Sequence, residues 1–469
     1  MVALIVDDLI AFAQRSDVHV PADGAAIRRA FEDHGPLFPS QGVGFAAAWA
    51  ALGRDTLNHA VNVSSPRYVA HYLATPSLES MAIEIAVGAL NQSMDSFDQG
   101  PSATVLESMV VEMMCDAAGF PNGDGVFVAG ASMSNLMALL IARDRGAVGE
   151  APSDTPRLRI VASELSHFSV AQAAGIIGLP AASVITVAVD STGAMDRSAL
   201  AETMGRATDS PGTVCVVVTL GTTDTGAFDP LDMALDVAAT AGAWVHVDAA
   251  ASGALLLSDR HRHRLAGLDR ADSVGLDFHK LGWQSVPSGC FLVRDRHSME
   301  AIRHHSEYLN PSSEPDLLNL AWKSIQTTRR FDALKLVITL RSLGHNGFDA
   351  LLDAQFRALA HAIDRVDAEP ELERGASGLH TVLFRHHPVG MDDEPSLDRH
   401  NQMLRSTLAE SGAVALGRSR FDGRSWLKIQ SLNPLMTPDD VDDIFDIILG
   451  RARVASGGSR RDATPGSQP

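Results

Sequence analysis

The spacing of apolar residues changes character along this chain. Up to about residue 100 they recur every three or four positions, over 25–33 and 76–90, which predicts helices. The turn-forming Ser64-Ser65-Pro66-Arg67 lies between them. From about 103 to 300, short apolar runs alternate with stretches of helical spacing. The runs 126–129, 159–162, 184–189, 214–220, 244–247, 273–276 and 290–293 predict strands. The stretches 104–118, 134–145, 169–177, 197–207 and 231–241 predict helices. Strands apolar throughout, alternating with helices, imply an α/β domain: a mostly parallel seven-stranded sheet with helices on both faces. A long helix is predicted over 324–343, a break at 344–347, and a further helix to about 367. The remainder, with apolar runs at 379–383, 427–429 and 438–449, predicts a small α+β unit. The expected division is an N-terminal helical segment (1–100), a large domain (101–340), a small C-terminal domain (341–452) and a disordered Ser/Gly/Pro-containing tail (453–469).

Composition narrows the class. A chain of 469 residues with 45% hydrophobic residues can bury a large core. Its formal net charge of −19 argues against nucleic acid or an anionic membrane as partner. No apolar run is long enough to span a bilayer, and the start lacks the basic region of a signal peptide. Cys115, Cys215 and Cys290 are few, odd in number and without CxxC spacing, so a reduced, cytoplasmic protein is expected. The His-rich spots (His261 and His263, His304-His305, His386-His387) read as solvated loops, and no metal site is expected.

Candidate chemistry falls at the carboxyl ends of the predicted strands, where open α/β sheets bind ligands. Gly130-Ala131-Ser132 follows the first strand and opens a helix, as an anion site would, although an ordinary tight turn has the same residues. His167 follows the second strand and could stack on an aromatic ring or be a plain loop histidine. Thr222 and Thr223 could bind a ligand or cap the next helix. Asp248 ends an apolar strand, where an acid implies a partner, and Ala249-Ala250 leave room beside it for a flat ring. His279-Lys280 follows a strand 32 positions later, with apolar Leu281, Gly282 and Trp283 after it. That setting is expected to favour the neutral amine. An acid to hold a pyridine nitrogen protonated and a lysine to condense with an aldehyde are what pyridoxal 5'-phosphate (PLP) needs. Each signal alone is weak, and their ordered recurrence at strand ends is the stronger observation.

In that order the segments resemble the group II PLP-dependent amino-acid decarboxylases of the fold-type I (aspartate-aminotransferase-like) superfamily. The likeness covers roughly residues 64–433. It is carried by Thr104-Val-Leu-Glu107, Gly130-Ala-Ser-Met-Ser-Asn-Leu-Met137, Gly221-Thr-Thr223, Asp248-Ala-Ala250, Asp277-Phe-His-Lys280, Gln326-Thr-Thr-Arg-Arg-Phe-Asp-Ala-Leu-Lys-Leu336, and Leu427-Lys428 with Asn433-Pro434. Segments 324–336 and Tyr308-Leu-Asn-Pro311 look most like the bacterial L-2,4-diaminobutyrate decarboxylase branch.

The resemblance implies that Lys280 carries PLP, Asp248 pairs with the ring nitrogen, and His167 and Ala250 contact the two ring faces. Ala131, Ser132 and His279 would bind the phosphate, and Thr222 or Thr223 would fix the ring. It also implies a homodimer with active sites near the subunit interface, and a loop over 308–322 that closes on a small amino-acid substrate. The expected reaction is decarboxylation of a small L-amino acid, such as a diamino acid, to the amine. The alternatives are decarboxylation with oxidative deamination or transamination to an aldehyde, or action on glutamate, aspartate or aromatic amino acids. Departures from the family pattern are Ala251-Ser252 after Asp-Ala-Ala, Ala131, Met133, Asp277 and Val337. Leu320 falls where relatives carry a loop tyrosine, and Tyr68, Tyr72 and Tyr308 are the chain's tyrosines.

Overall fold

The computed structural model describes residues 1–145, 158–209, 212–304, 306, 307, 309 and 318–458. The chain begins with helices Val2–Ala13 (α1), Gly24–Glu32 (α2), Phe45–Ala48 (α3) and Arg54–His59 (α4), followed by a short strand, Tyr68–Val69 (β1). Helices Leu78–Leu90 (α5) and Pro101–Ala118 (α6) come next. Local chemistry sets their starts. Asp23 accepts the Ala26 N–H ahead of α2, Ser77 accepts the Ser80 N–H ahead of α5, and proline opens α6.

The alternating region follows as Asp124–Val128 (β2), Ala131–Asp144 (α7), Leu158–Ser163 (β3), Ser169–Ile176 (α8), Val184–Val187 (β4), Arg197–Thr208 (α9), Thr213–Thr219 (β5), Leu231–Ala241 (α10), Trp244–Ala249 (β6), Ser273–Asp277 (β7) and Gly289–Val293 (β8). These strands form one seven-stranded sheet in the order β2-β8-β7-β6-β5-β3-β4. Only β8 runs antiparallel to its neighbours. The sheet is apolar on both faces, with Val126, Ile160, Val217 and Phe291 buried among Met137, Ile141, Val170 and Ala174 of α7 and α8. Register aligns Thr219 with Asp248 and Asp248 with Gly275, so Thr219 and Asp248 lie side by side and Asp277 ends its strand two residues beyond them.

The chain then forms a long helix, Ala333–Ala368 (α11), broken at Gly344, whose φ of 62° and ψ of 176° lie outside helical space. Strands Leu372–Gly378 (β9) and Thr381–His386 (β10), helix Glu394–Glu410 (α12), strands Ala415–Phe421 (β11) and Arg424–Gln430 (β12), and helix Pro438–Gly458 (α13) complete it.

The chain divides into two compact units. One comprises Tyr72–Asp353 with Ala376–His380, and the other Met1–His71, Ala354–Gly375 and the stretch from Thr381 onward. The second unit has its own core, with Val69, Val382, Phe384, Leu404, Leu427, Phe445 and Ile448 buried together. Its sheet runs β1-β11-β12-β10-β9, so Tyr68 and Val69 pair in parallel with Ala415 and Leu416.

Three expectations change. The N-terminal segment does not stand apart, because β1 needs a sheet edge and finds it about 350 residues later in sequence. Residues 324–332 are not α-helical: the Ser324 hydroxyl accepts the Gln326 N–H, the Arg329 carbonyl accepts the Met94 N–H, and the Arg329 side chain turns inward to Glu107. The helix of 438–449 extends to Gly458, into the expected tail, and 459–469 lie outside the described residues. Much of the expected closing loop, Tyr308 and Tyr308-Leu-Asn-Pro311 included, also falls outside or is only partly described, whereas Leu320 is buried.

Candidate active site

A cavity of about 410 Å³ opens at the carboxyl ends of β2, β3, β5, β6 and β7, within the roughly 300–1,000 Å³ usual for ligand pockets. Its lining brings together Ala131, Ser132, His167, Thr223, Asp248, Ala250, His279 and Lys280, which are separated by up to 149 positions in sequence. Parallel strands with right-handed crossovers deliver all their exits to one edge, which is why residues so distant converge.

Thr222 is the exception. Its side chain is wholly buried, its hydroxyl pairs with that of Thr225 at 2.8 Å, and it also meets the Ala227 N–H, so it holds the 222–227 turn and does not line the cavity. Gly221 supplies the left-handed φ of 104° that directs the chain this way. A Cβ there would lie 2.9 Å from that of Ala251.

Asp248 is buried, with one oxygen accepting the Ala250 N–H at 3.1 Å and the other the Asn135 side-chain amide at 2.9 Å. Asn135 also donates to Ser169 Oγ at 2.9 Å, and Ser169 Oγ lies 2.7 Å from His167 Nδ1. The Asn135 carbonyl oxygen lies 2.9 Å from Nε2 of the buried His246. An amide oxygen can only accept, so His246 carries its proton on Nε2, and its Nδ1 accepts from Ser273 Oγ at 2.9 Å. Burial pushes His246 down to about 4, against the opposing pull of Asp248. Burial likewise lowers His167, with Asp248 again opposing. Both imidazoles are therefore neutral donors or acceptors at pH 7. A neutral network thus braces a single carboxylate.

Lys280 meets a setting less apolar than expected. Its Nζ lies 3.0 Å from Asp277 Oδ2 and 5.2 Å from the centroid of the Tyr72 ring. Asp277 Oδ1 accepts the Ala131 N–H at 2.8 Å, at the start of α7. His279 Nδ1 is 2.8 Å from the Ser288 carbonyl oxygen, which orients the ring. Asn135, Ser169, His246, Tyr72 and Thr219 join the site only in the folded chain. The signal for His246 was available: it lies two residues before Asp248 and so on the same face of β6. Asn135 and Ala131 stand four apart on α7, again one face.

The residues suit PLP. Thr219 Oγ1 lines the cavity, buried beside Asp248 and without a hydrogen-bond partner, the state of a group that awaits a ligand. Gly130 leaves an open cradle at the helix start, where a Cβ would meet only His279 at 3.5 Å and Asp277 at 3.6 Å. The first turn of α7 offers N–H groups with no partner inside the helix. Among the described residues no cluster of His, Cys, Asp and Glu could hold a metal ion.

Comparison with known proteins agrees with this geometry. Residues 53–385 match the family model described as the pyridoxal-dependent decarboxylase conserved domain. An L-2,4-diaminobutyrate decarboxylase of Rhizobium meliloti (strain 1021) is 38% identical over 446 residues, covering 94% of this chain and 88% of the relative. One from Acinetobacter baumannii is 34% identical, covering 88% and 85%. The crystal structure of the glutamate decarboxylase domain of a diaminobutyrate-pyruvate transaminase and L-2,4-diaminobutyrate decarboxylase from Vibrio parahaemolyticus superposes with a TM-score of 0.84 at 31% identity, covering 97% of this chain and 95% of that one. The fold is thus fold-type I, and the chain belongs to the pyridoxal-dependent decarboxylase family: it is a PLP-dependent amino-acid decarboxylase.

Proposed function

We propose that the substrate is a small aliphatic L-amino acid with a second amino group, of the 2,4-diaminobutyrate kind, and the product its amine and CO2. The convergence of Lys280, Asp248 and His167 on one cavity carries the catalytic part of this reading. The activity named for relatives at 34–38% identity supports the substrate class.

When bound, PLP supplies an electron sink for the pair left at Cα as the carboxylate departs. The chain's residues do the rest. Lys280 would hold the cofactor through its aldehyde and would be an amine of the cavity able to carry a proton. Asp248, braced by Asn135 and the Ala250 N–H, would keep a proton on the ring nitrogen. His167, turned by Ser169, would pack on one ring face and Ala250 on the other. Ala131, Ser132 and His279 would hold the phosphate, and Thr223 with Thr219 the ring edge. The Tyr72 hydroxyl donates to the Thr222 carbonyl oxygen at 3.0 Å, so this tyrosine shapes the wall and offers a ring face to a cationic substrate.

A homodimer fits the exposed apolar faces. Leu78, Met81 and Ile85 of α5 and Val105, Met109 and Met113 of α6 are exposed at helical spacing, opposite the buried faces of the same helices. A cytoplasmic location fits the three free, buried cysteines. Among the described residues no helix is long and apolar enough to cross a membrane.

The test is a panel of amino acids incubated with the PLP-loaded protein, measuring CO2, amine, aldehyde and hydrogen peroxide. Amine from a diamino acid at the highest kcat/KM is expected. Preference for glutamate or an aromatic substrate would overturn the substrate class, and aldehyde with peroxide under oxygen would replace amine formation with oxidative deamination.

A further inference from the structure

The start of α7 is the natural anion site of this cavity, and the protein has placed its own anion there. Asp277 ends β7, is 3% exposed, and spans the donors that a phosphate and an aldehyde would need. Its Oδ1 takes the Ala131 N–H at 2.8 Å. Its Oδ2 lies 3.0 Å from Lys280 Nζ and 3.6 Å from His279 Nε2. Lys280 is the one Lys or Arg among the described residues lining the cavity, and the carboxylate has paired with it.

We propose that Asp277 is an internal competitor that sets cofactor affinity: its carboxylate occupies the helix start and the lysine in the cofactor-free protein and repels the incoming phosphate. This rests on reading the cavity as the PLP site. Two effects act in the same direction. A buried carboxylate beside a phosphate is a like-charge contact with little water to screen it. A lysine paired with an acid must lose that partner's attraction before its amine can condense. At a given ambient PLP concentration the cofactor-loaded fraction of this enzyme is therefore lower than it would be with a neutral residue at 277.

The test compares the cofactor-stripped full chain with Asp277→Asn, which keeps an oxygen for the Ala131 N–H but loses the charge. PLP binding is followed by absorbance and inorganic phosphate binding by calorimetry, at fixed pH and ionic strength. D277N is expected to bind both roughly tenfold tighter. Lys280→Ala separates the two effects: in K280A/D277N the gain in phosphate affinity over K280A should persist, because the repulsion remains when the lysine is gone. Phosphate and PLP binding unchanged or weaker in folded D277N would overturn the proposal. Asp277→Ser, judged by its melting temperature, serves where D277N does not fold. A wild-type protein that takes up no PLP would instead remove the reading on which the proposal rests, and the two failures are thereby distinct.

Discussion

Asn135 is the residue on which this site turns. It donates to Asp248 and Ser169 and accepts from His246, so one amide fixes the acid, a buried tautomer and, through Ser169, the His167 imidazole. Asn135→Ala should leave the His246 N–H unpaired and release both Asp248 and His167. With about 1.5–3 kcal/mol at stake for a hydrogen bond to a charged group, kcat should fall about tenfold or more. Steady-state kinetics with the best amino acid, together with the pH dependence of cofactor absorbance, check this. A change in KM alone would show that Asn135 does not act through Asp248. Lys280→Ala should reduce turnover by about a thousandfold or more, and borohydride should fix no cofactor to the variant, as peptide mapping would read.

At the scale of elements, the site depends on strand-to-helix turns held from outside the cavity. Glu107 of α6 is wholly buried, accepts the Phe127 N–H of β2 at 3.2 Å, and pairs with Arg329 at 2.7 Å. Arg329 also donates to the Phe127 carbonyl oxygen at 3.1 Å. The pair thus clamps β2 just before Gly130 and the start of α7. Burial raises the Glu107 carboxyl, and Arg329 opposes that rise. Arg329→Met should strand the acid in the core and cost about 3–5 kcal/mol, read from urea unfolding at pH 7. An unchanged midpoint would mean that the pair contributes nothing net.

At the scale of the molecule, the exposed faces of α5 and α6 should join two copies. Met109→Glu places a charge at the centre of the α6 stripe and should yield monomer by sedimentation velocity, with little change in the monomer's fold because the side chain is exposed. A dimer of unchanged stability would move the interface elsewhere. The two units also share an acid sensitivity. His246 in one and His386 in the other are pushed by burial down to about 4. Unfolded, each titrates near its ordinary value of 6.5. Between those values the unfolded chain binds more protons, so stability is full above about pH 6.5 and is lost as pH falls toward 4. For His246 the loss is of order 3 kcal/mol. Denaturation at pH 7.5, 6 and 5 should show that fall as proton uptake on unfolding.

The sequence alone determined the parallel sheet, the break at Gly344 and the strand ends from which Lys280, Asp248, His167 and Ser132 enter one cavity. Those features follow from local rules: short continuous apolar runs, period-3.6 apolar spacing, glycine where the helix must stop, and small or polar residues where a strand ends. Tertiary structure decided what depends on distant partners. It gave β1 its place beside β11, drew 324–332 out of a helix toward Glu107, and closed the network from His246 through Asn135 to Asp248. A hydrogen bond between residues more than a hundred positions apart leaves no periodic trace in either segment. It exists only once the sheet has brought the two into register.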